Sequence, residues 1–243
     1  MTENKHILGI LGGLGPMSSA YFYEMITEHT KAQCDQDHID MVISSAATTP
    51  DRTSYIMGAS KDNPAPVMID NARRLIDYGC DVIAIPCNTA HYFYSELQDN
   101  ISVPIINIIY ETVKLCSDKG CRRIGIMATD GTVMTETYQR MANRFGIECI
   151  VPCEANQKRV MDIIYGSVKQ GRAVDMREFN KVSAELRKLG ADKIILGCTE
   201  LSIIKKQYNL DSYYLDALEV LAWRSIQFCE KTPVGFEDFE DEI

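Results

Sequence analysis

The chain has 243 residues, 46% hydrophobic and 24% charged, enough apolar material for one large α/β domain or two lobes of ordinary size and far from the composition of a disordered chain. A net charge of −9 with scattered lysines and arginines leaves no basic face for nucleic acid, and no stretch approaches the roughly 20 apolar residues that cross a bilayer. Met1-Thr-Glu-Asn-Lys-His6 has neither an apolar signal core nor a small-residue cleavage site, and the nine cysteines, an odd number, read as reduced thiols, so the expected setting is the cytoplasm.

In chain order, strands are expected at His6 to Leu11, Met41 to Ser45, Val82 to Pro86, Ile105 to Ile108, Arg123 to Ala128, Glu148 to Pro152, Lys193 to Gly197 and Tyr213 to Leu215. Each is a short, nearly continuous apolar run, as strands buried on both faces of a parallel sheet are. Amphipathic stretches fall between them. Ser18 to Thr30 places Tyr21, Phe22, Met25 and Ile26 at helical spacing, and Val67 to Tyr78 does the same with Met68, Ala72, Leu75 and Ile76. The segment Tyr213 to Glu230 reads as a helix packing back onto the first lobe, and 233–243 as a flexible acidic tail.

An internal repeat decides the architecture. His6-Ile-Leu-Gly-Ile-Leu-Gly-Gly-Leu-Gly-Pro16 and Arg122-Arg-Ile-Gly-Ile-Met-Ala-Thr-Asp-Gly-Thr132 share a strand ending in a small-residue turn before a helix. Later in each half, Asp81-Val-Ile-Ala-Ile-Pro-Cys87 and Asp192-Lys-Ile-Ile-Leu-Gly-Cys198 run from an apolar strand into a cysteine and then polar residues. The expectation is an α/β protein of two similar Rossmann-like lobes with central parallel sheets, related by a pseudo-twofold axis, with the site in the cleft between them. The first lobe is 1–107 plus 216–232 and the second 108–215.

Cys87 and Cys198 follow the carboxyl ends of buried strands, where open α/β sheets place ligands. The residues after them, Asn88-Thr89-Ala90 and Thr199-Glu200-Leu201, read as helix starts whose free N–H groups favour thiolate. Either cysteine alone reads more simply as a buried strand-end residue, but two at equivalent points of a repeat do not. Most of Cys34, Cys80, Cys116, Cys121, Cys149, Cys153 and Cys229 read as small hydrophobes. Zinc has little support: Cys116 and Cys121 are five apart and Cys149 and Cys153 four apart, without a two-residue knuckle or a histidine arm. His91, four residues after Cys87, leaves open a thiol–imidazole pair of the hydrolase kind, which gives Cys198 no role.

The turn Gly12-Gly13-Leu14-Gly15-Pro16 fails as a dinucleotide fingerprint, because Ser18 replaces the third glycine and no acid closes the second strand. It remains either a tight turn or a place where backbone approaches an anion. Asp51-Arg52 follows the second strand, with Arg52 either a carboxylate clamp or a surface residue paired to Asp51. Tyr165 and Lys169, four apart, would share one helix face, and Lys169 by itself reads as a solvated lysine.

Taken together, Leu11-Gly-Gly-Leu-Gly-Pro16, Asp51-Arg52, Pro86-Cys-Asn-Thr-Ala90, Tyr165 with Lys169, and Gly197-Cys-Thr-Glu200 resemble the aspartate/glutamate racemase superfamily, aspartate branch, in the family's order. Glutamate racemases carry Asp-Ser-Gly and Gly-Cys-Thr-His where this chain has Gly-Gly-Leu and Gly-Cys-Thr-Glu. The resemblance implies a racemase acting on aspartate, or on glutamate or a broader set, without pyridoxal phosphate, metal or other cofactor. It assigns Cys87 and Cys198 as the acid/base pair, acting on the D- and L-isomer respectively. Arg52 and Lys169 take the carboxylate-binding positions, and Leu14, Asp51, Asn88, Thr89, Tyr165, Thr199 and Glu200 the other substrate-contacting ones. It also implies a homodimer and a small acidic amino acid as the partner. A decarboxylase or cis-trans isomerase of the same superfamily, or a ligand-binding protein without turnover, are the competing readings.

Overall fold

The computed structural model describes residues 6–236 and 239. Eight strands form two four-stranded sheets. β1 (Ile7–Gly12), β2 (Asp40–Ser45), β3 (Val82–Ala84) and β4 (Ile105–Ile106) make the first, in the order β2-β1-β3-β4; β5 (Arg123–Met127), β6 (Glu148–Ile150), β7 (Lys193–Leu196) and β8 (Tyr214–Asp216) make the second, in the order β6-β5-β7-β8. Within both sheets, among the described residues, all strand pairings are parallel. The repeated strand order is the sequence repeat in three dimensions, and in each sheet the order reverses between the first and third strands, where α/β sheets open a crevice.

Burial explains why the strands read as they do. The inner strands β3 and β7 are buried almost throughout, whereas β2 and β6, at sheet edges, are half-exposed and less uniformly apolar. Several strands end sooner than their apolar runs. β4 stops at Ile106 because Asn107 turns to cap the next helix, its Oδ1 accepting from the N–H groups of Ile109 and Tyr110 at 3.1 and 3.0 Å. Asp216 caps the helix after β8 in the same way, accepting from the Leu218 N–H at 2.8 Å. β3 ends at Ala84, ahead of Pro86, which has no N–H to give to a ladder.

The helices are α1 (Pro16–Glu28), α2 (Arg52–Ile56), α3 (Ala65–Tyr78), α4 (Tyr94–Asp99), α5 (Ile108–Asp118), α6 (Asp130–Met134), α7 (Thr137–Arg144), α8 (Glu154–Met161), α9 (Met176–Lys188), α10 (Thr199–Tyr208) and α11 (Ala217–Phe228). The final helix, α11, packs on α1, α5 and α10, and α5 also packs on α7. One apolar core therefore runs from Leu8, Ile10 and Phe22 beside the first sheet, through Ile109, Val113, Leu218 and Leu221, to Ile124, Ile126 and Tyr138 beside the second. That shared core holds the two sheets' carboxyl edges toward each other.

The segment expected as a free tail from 233 is anchored at its start. Pro233 bridges to Thr30, the Val234 N–H donates to the His29 carbonyl at 2.9 Å, Phe236 packs on the His29 ring, and Phe239 packs edge-on against Trp223. Burial of Phe236 and Phe239 favours this anchoring. The acidic residues at 237, 238 and 240–242 lie outside the described residues. Among the described residues no helix is long and apolar enough to cross a membrane.

Candidate active site

Cys87 follows β3 and Cys198 follows β7, the corresponding strands of the two sheets, and both line one cavity. All the residues singled out from the sequence line it with them: Leu14, Asp51, Arg52, Asn88, Thr89, Tyr165, Lys169, Thr199 and Glu200. Thr53 and Thr129 complete the wall. The cavity is closed down to about 10 Å³, room for about one water molecule. A larger groove of about 480 Å³ lies elsewhere, between Tyr94, Tyr110 and Phe228, and has no cysteine in its wall.

The two cysteines are presented differently. Cys198 is the N-cap of the ten-residue α10, with extended backbone, so the first amides of that helix flank its thiol. The peptide after Cys87 forms a tighter 3-10 turn, Thr89–Phe93, before α4, rather than the α-helical start expected there. His91, within that turn, forms no thiol pair. Its Nδ1 donates to the Cys87 carbonyl at 2.9 Å and its Nε2 accepts from the Ile108 N–H at 3.3 Å, so both ring nitrogens are committed to backbone. Burial pulls the His91 pKa down to about 4 and keeps the ring neutral.

Around Cys198 the chemistry is ionic. Its Sγ lies 2.9 Å from Glu200 Oε2, and Glu200 Oε1 pairs with Lys169 Nζ at 2.7 Å. Burial, then the Glu200 carboxylate, push the Cys198 thiol well above its ordinary value against the pull of Lys169, so the sulfur donates its proton to Glu200. Burial works against the Lys169 ammonium, but the charge of Glu200 and the hydrogen bond to it outweigh it and hold the lysine protonated. Lys169 stays solvent-exposed, as expected, but its ammonium is partnered by Glu200 rather than free. Its ammonium also sits 5.3 Å from the centre of the Tyr165 ring.

Tyr165 and Lys169 reach the cavity from a backbone that differs from the expected α-helix: a π-helical turn, Asp162–Ser167, runs into a 3-10 turn, Val168–Gln170. Gly166, a poor helix former, sits in this stretch, and π turns of this kind recur at functional sites. The Tyr165 hydroxyl donates to Asp51 Oδ2 at 3.5 Å, a contact between the two halves at the cleft, and burial lifts its pKa to about 12.

On the opposite wall Arg52 is buried, with 7% of its surface exposed, and is not paired to Asp51. Asp51 instead caps α2 by accepting from the Ser54 N–H at 2.7 Å. The Arg52 guanidinium donates to the carbonyls of Leu14 at 2.6 Å, Pro50 at 2.9 Å and Thr49 at 3.3 Å, which fixes its plane and leaves Nε without a partner. Asn88 is 2% exposed; its Oδ1 accepts from the Tyr138 hydroxyl at 2.6 Å, and its Nδ2 is likewise unpartnered. Two buried donors with no acceptor, on residues that line the cavity with the two thiols, could serve an anion, because such donors left unmet are costly.

The glycine turn completes this wall. Gly13 has φ 84°, and a Cβ there would fall 2.4 Å from the Ala46 nitrogen. Gly15 brings its backbone up to the far half: a Cβ on it would stand 3.1 Å from Glu200 Oε1. The anion this turn approaches is therefore the Glu200 carboxylate. A triangle of hydroxyls, Thr89 to Thr129 at 2.9 Å, Thr89 to Thr132 at 3.1 Å and Thr129 to Thr132 at 3.2 Å, joins the halves.

Of the other cysteines, Cys80, Cys116 and Cys229 are buried, whereas Cys34 and Cys153 are exposed and do not pack as hydrophobes. Among the described residues no cluster of three or more histidine, cysteine or acidic side chains is disposed to hold a metal ion.

The fold and sequence are shared with known proteins. The family described as Asp/Glu/Hydantoin racemase matches residues 11–224. The broad specificity amino-acid racemase RacX of Bacillus subtilis (strain 168) is 28% identical over 228 residues, 89% of this chain and 95% of that protein. The structure of Picrophilus torridus aspartate racemase superposes with a TM-score of 0.83 at 28% identity, covering 94% of this chain and 96% of that one. A glutamate racemase from Francisella tularensis shares the fold at a TM-score of 0.66 and 19% identity, over 93% of this chain and 81% of that one. The chain is an amino-acid racemase and belongs to the Asp/Glu/Hydantoin racemase family.

Proposed function

We propose that the cleft racemises an acidic amino acid, aspartate ahead of glutamate, by proton transfer between the α-carbon and Cys87 on one face and Cys198 on the other, with no cofactor. The observation that carries this reading is that the two thiols, from matching strands of the two sheets, line one cavity with Arg52 and Asn88, each of which carries a buried donor without a partner. An α-proton without an imine electron sink is very weakly acidic, so charge developing on the α-carboxylate needs fixed donors. Arg52 and Asn88 are held in place for that by bonds to Leu14, Pro50 and Tyr138. A second cation, Lys169, suits the second carboxylate of an acidic substrate.

For the D-isomer, Cys87 as thiolate takes the α-proton while the Cys198 thiol gives its own to the opposite face; the products are the L-isomer, a Cys87 thiol and a Cys198 thiolate. For the L-isomer the Cys198 thiolate takes the α-proton while the Cys87 thiol gives its own to the opposite face; from a state with both thiols neutral, the Cys198 proton passes first to Glu200 Oε2, 2.9 Å away. One thiol is always charged and the other neutral, as a two-base exchange requires. Because the cavity holds about one water, entry of substrate requires the halves, or the turn bearing Tyr165 and Lys169, to move apart, and closure then excludes water.

A hydrolase built on Cys87 and His91 is disfavoured by the commitment of both imidazole nitrogens to backbone. The likeness to a broad specificity racemase favours testing other substrates as well. The test is chiral chromatography of each L-amino acid after incubation with the enzyme. Conversion of aspartate above all others is expected; turnover confined to neutral or basic amino acids would overturn the assignment.

A further inference from the structure

Helix α5 ends in a two-bond left-handed cap. Gly120 has φ 72°, its N–H donates to the Ser117 carbonyl at 2.9 Å, and the Cys121 N–H donates to the Cys116 carbonyl at 2.9 Å. This motif brings the side chains at its first and last positions into contact, and proteins usually place apolar residues there. The same pair of bonds closes α3, α7 and α9, where the touching residues are Leu75 with Cys80, Ala142 with Ile147 and Leu186 with Ala191. At α5 both positions are cysteines, so the backbone itself sets two thiols side by side.

The two thiols are unequal. Cys116 is buried in the core, while Cys121 is half-exposed. Both line a cavity of about 260 Å³ with Lys193, Ser212 and Tyr214, wide enough for a small oxidant. The Cys116 thiol, interacting with Cys121, lowers the Cys121 pKa against the cost of burial and is itself raised in return. The more accessible sulfur is thus the better nucleophile, and its neighbour keeps its proton.

From this juxtaposition we propose that Cys116 and Cys121 are a dithiol modification site that reacts with hydroperoxides and closes to an intramolecular disulfide. The Cys121 thiolate attacks the peroxide O–O bond, giving a sulfenic acid and hydroxide. The Cys116 sulfur then displaces the sulfenic oxygen as water, losing its proton. Overall two thiols and one hydrogen peroxide give one disulfide and two waters, with sulfur oxidised and peroxide oxygen reduced. The disulfide would pin the short connection from α5 to β5, where the chain passes from the first sheet to the second, and would spare Cys121 from irreversible oxidation. The inference is independent of the substrate and of the roles of Cys87 and Cys198.

The test is peptide mapping of the intact enzyme after brief treatment with hydrogen peroxide, alkylation of free thiols under denaturing conditions and tryptic digestion without reductant. Trypsin cuts after Lys114, Lys119 and Arg122, so the disulfide links the peptide Leu115 to Lys119 with the peptide Gly120 to Arg122. The linked pair is expected to appear with peroxide and vanish with dithiothreitol, with alkylation of Cys121 falling at least ten-fold. In Cys116→Ser, checked for folding by its thermal transition, Cys121 is expected to be trapped by dimedone as the sulfenic acid. The proposal is overturned if both peptides of the wild-type enzyme stay alkylated and unlinked, or if Cys121 advances to sulfinic acid with Cys116 still present.

Discussion

The hydroxyl of Tyr138, fully buried on α7, donates to Asn88 Oδ1 at 2.6 Å across the boundary between the two halves. Because this bond claims the amide oxygen, the Asn88 nitrogen is the end left over beside the thiols. A tyrosine that is not itself part of the cavity wall therefore decides which end of the amide is left free.

Tyr138→Phe keeps the ring in its packing and removes only the hydroxyl. We expect kcat/KM for racemisation to fall about ten-fold, with a stability loss of about 1–3 kcal/mol from the unpaired amide oxygen. In an Asn88→Ala background the same change should cost little activity, since there is no amide left to orient. A purely structural tyrosine would give equal losses in both backgrounds, measured as kcat/KM alongside thermal melts.

Arg52→Lys replaces a planar fork, fixed by three carbonyls, with a single ammonium on a flexible stem. A lysine cannot hold those carbonyls and also present a fixed donor at the cleft. KM for aspartate is expected to rise ten-fold or more, with part of the loss appearing as lower stability in urea titration. An unchanged KM would remove Arg52 from the substrate-binding set.

Glu200→Gln removes the charge that, after burial, does most to hold the Cys198 thiol protonated. The sign is definite: without the carboxylate and with Lys169 still nearby, the thiol pKa falls. The alkylation of Cys198 by iodoacetamide should therefore reach half-maximum at lower pH than in the wild type. Racemisation should drop at least ten-fold because the proton acceptor for Cys198 is gone. A half-maximum at higher pH would contradict the electrostatic account.

His91 gives a stability prediction. Its folded pKa of about 4 lies below the ordinary value of 6.5, so between these pH values the unfolded chain binds more protons and stability falls as the pH is lowered. The size is on the order of 3 kcal/mol for a shift of this extent. Urea denaturation at pH 7 and at pH 4 should show that loss in the wild type and a smaller one in His91→Gln. Equal losses would mean that His91 is not buried neutral.

How much of this was legible in the chain can be argued residue by residue. The interior strands and the strand-order repeat showed as uninterrupted apolar runs because parallel strands are buried on both faces. The repeat then singled out Cys87 and Cys198 from nine cysteines. Thr129 was missed although the repeat holds it: aligning Gly9 with Gly125 sets Thr129 opposite Gly13, beside the Leu14 turn. Tyr138 carried no signal, since a helical tyrosine reads as core and its partner lies 50 residues away. The backbone at Tyr165 and Lys169 was read as α-helix because spacing alone does not distinguish an α turn from a π turn followed by a 3-10 turn. The buried state of Arg52 depended on carbonyls of the Leu14 turn, contacts that only tertiary structure brings together.

The central claim is that two thiols on opposite faces of one carbon exchange its proton. The most direct measurement is incubation of L-aspartate in deuterated water with the wild type, Cys87→Ser and Cys198→Ser, following α-deuterium by proton NMR and D-aspartate by chiral chromatography. The account predicts α-deuterated D-aspartate from the wild type and a loss of racemisation of at least a thousand-fold in either variant. Racemisation near the wild-type rate in either cysteine variant would contradict it.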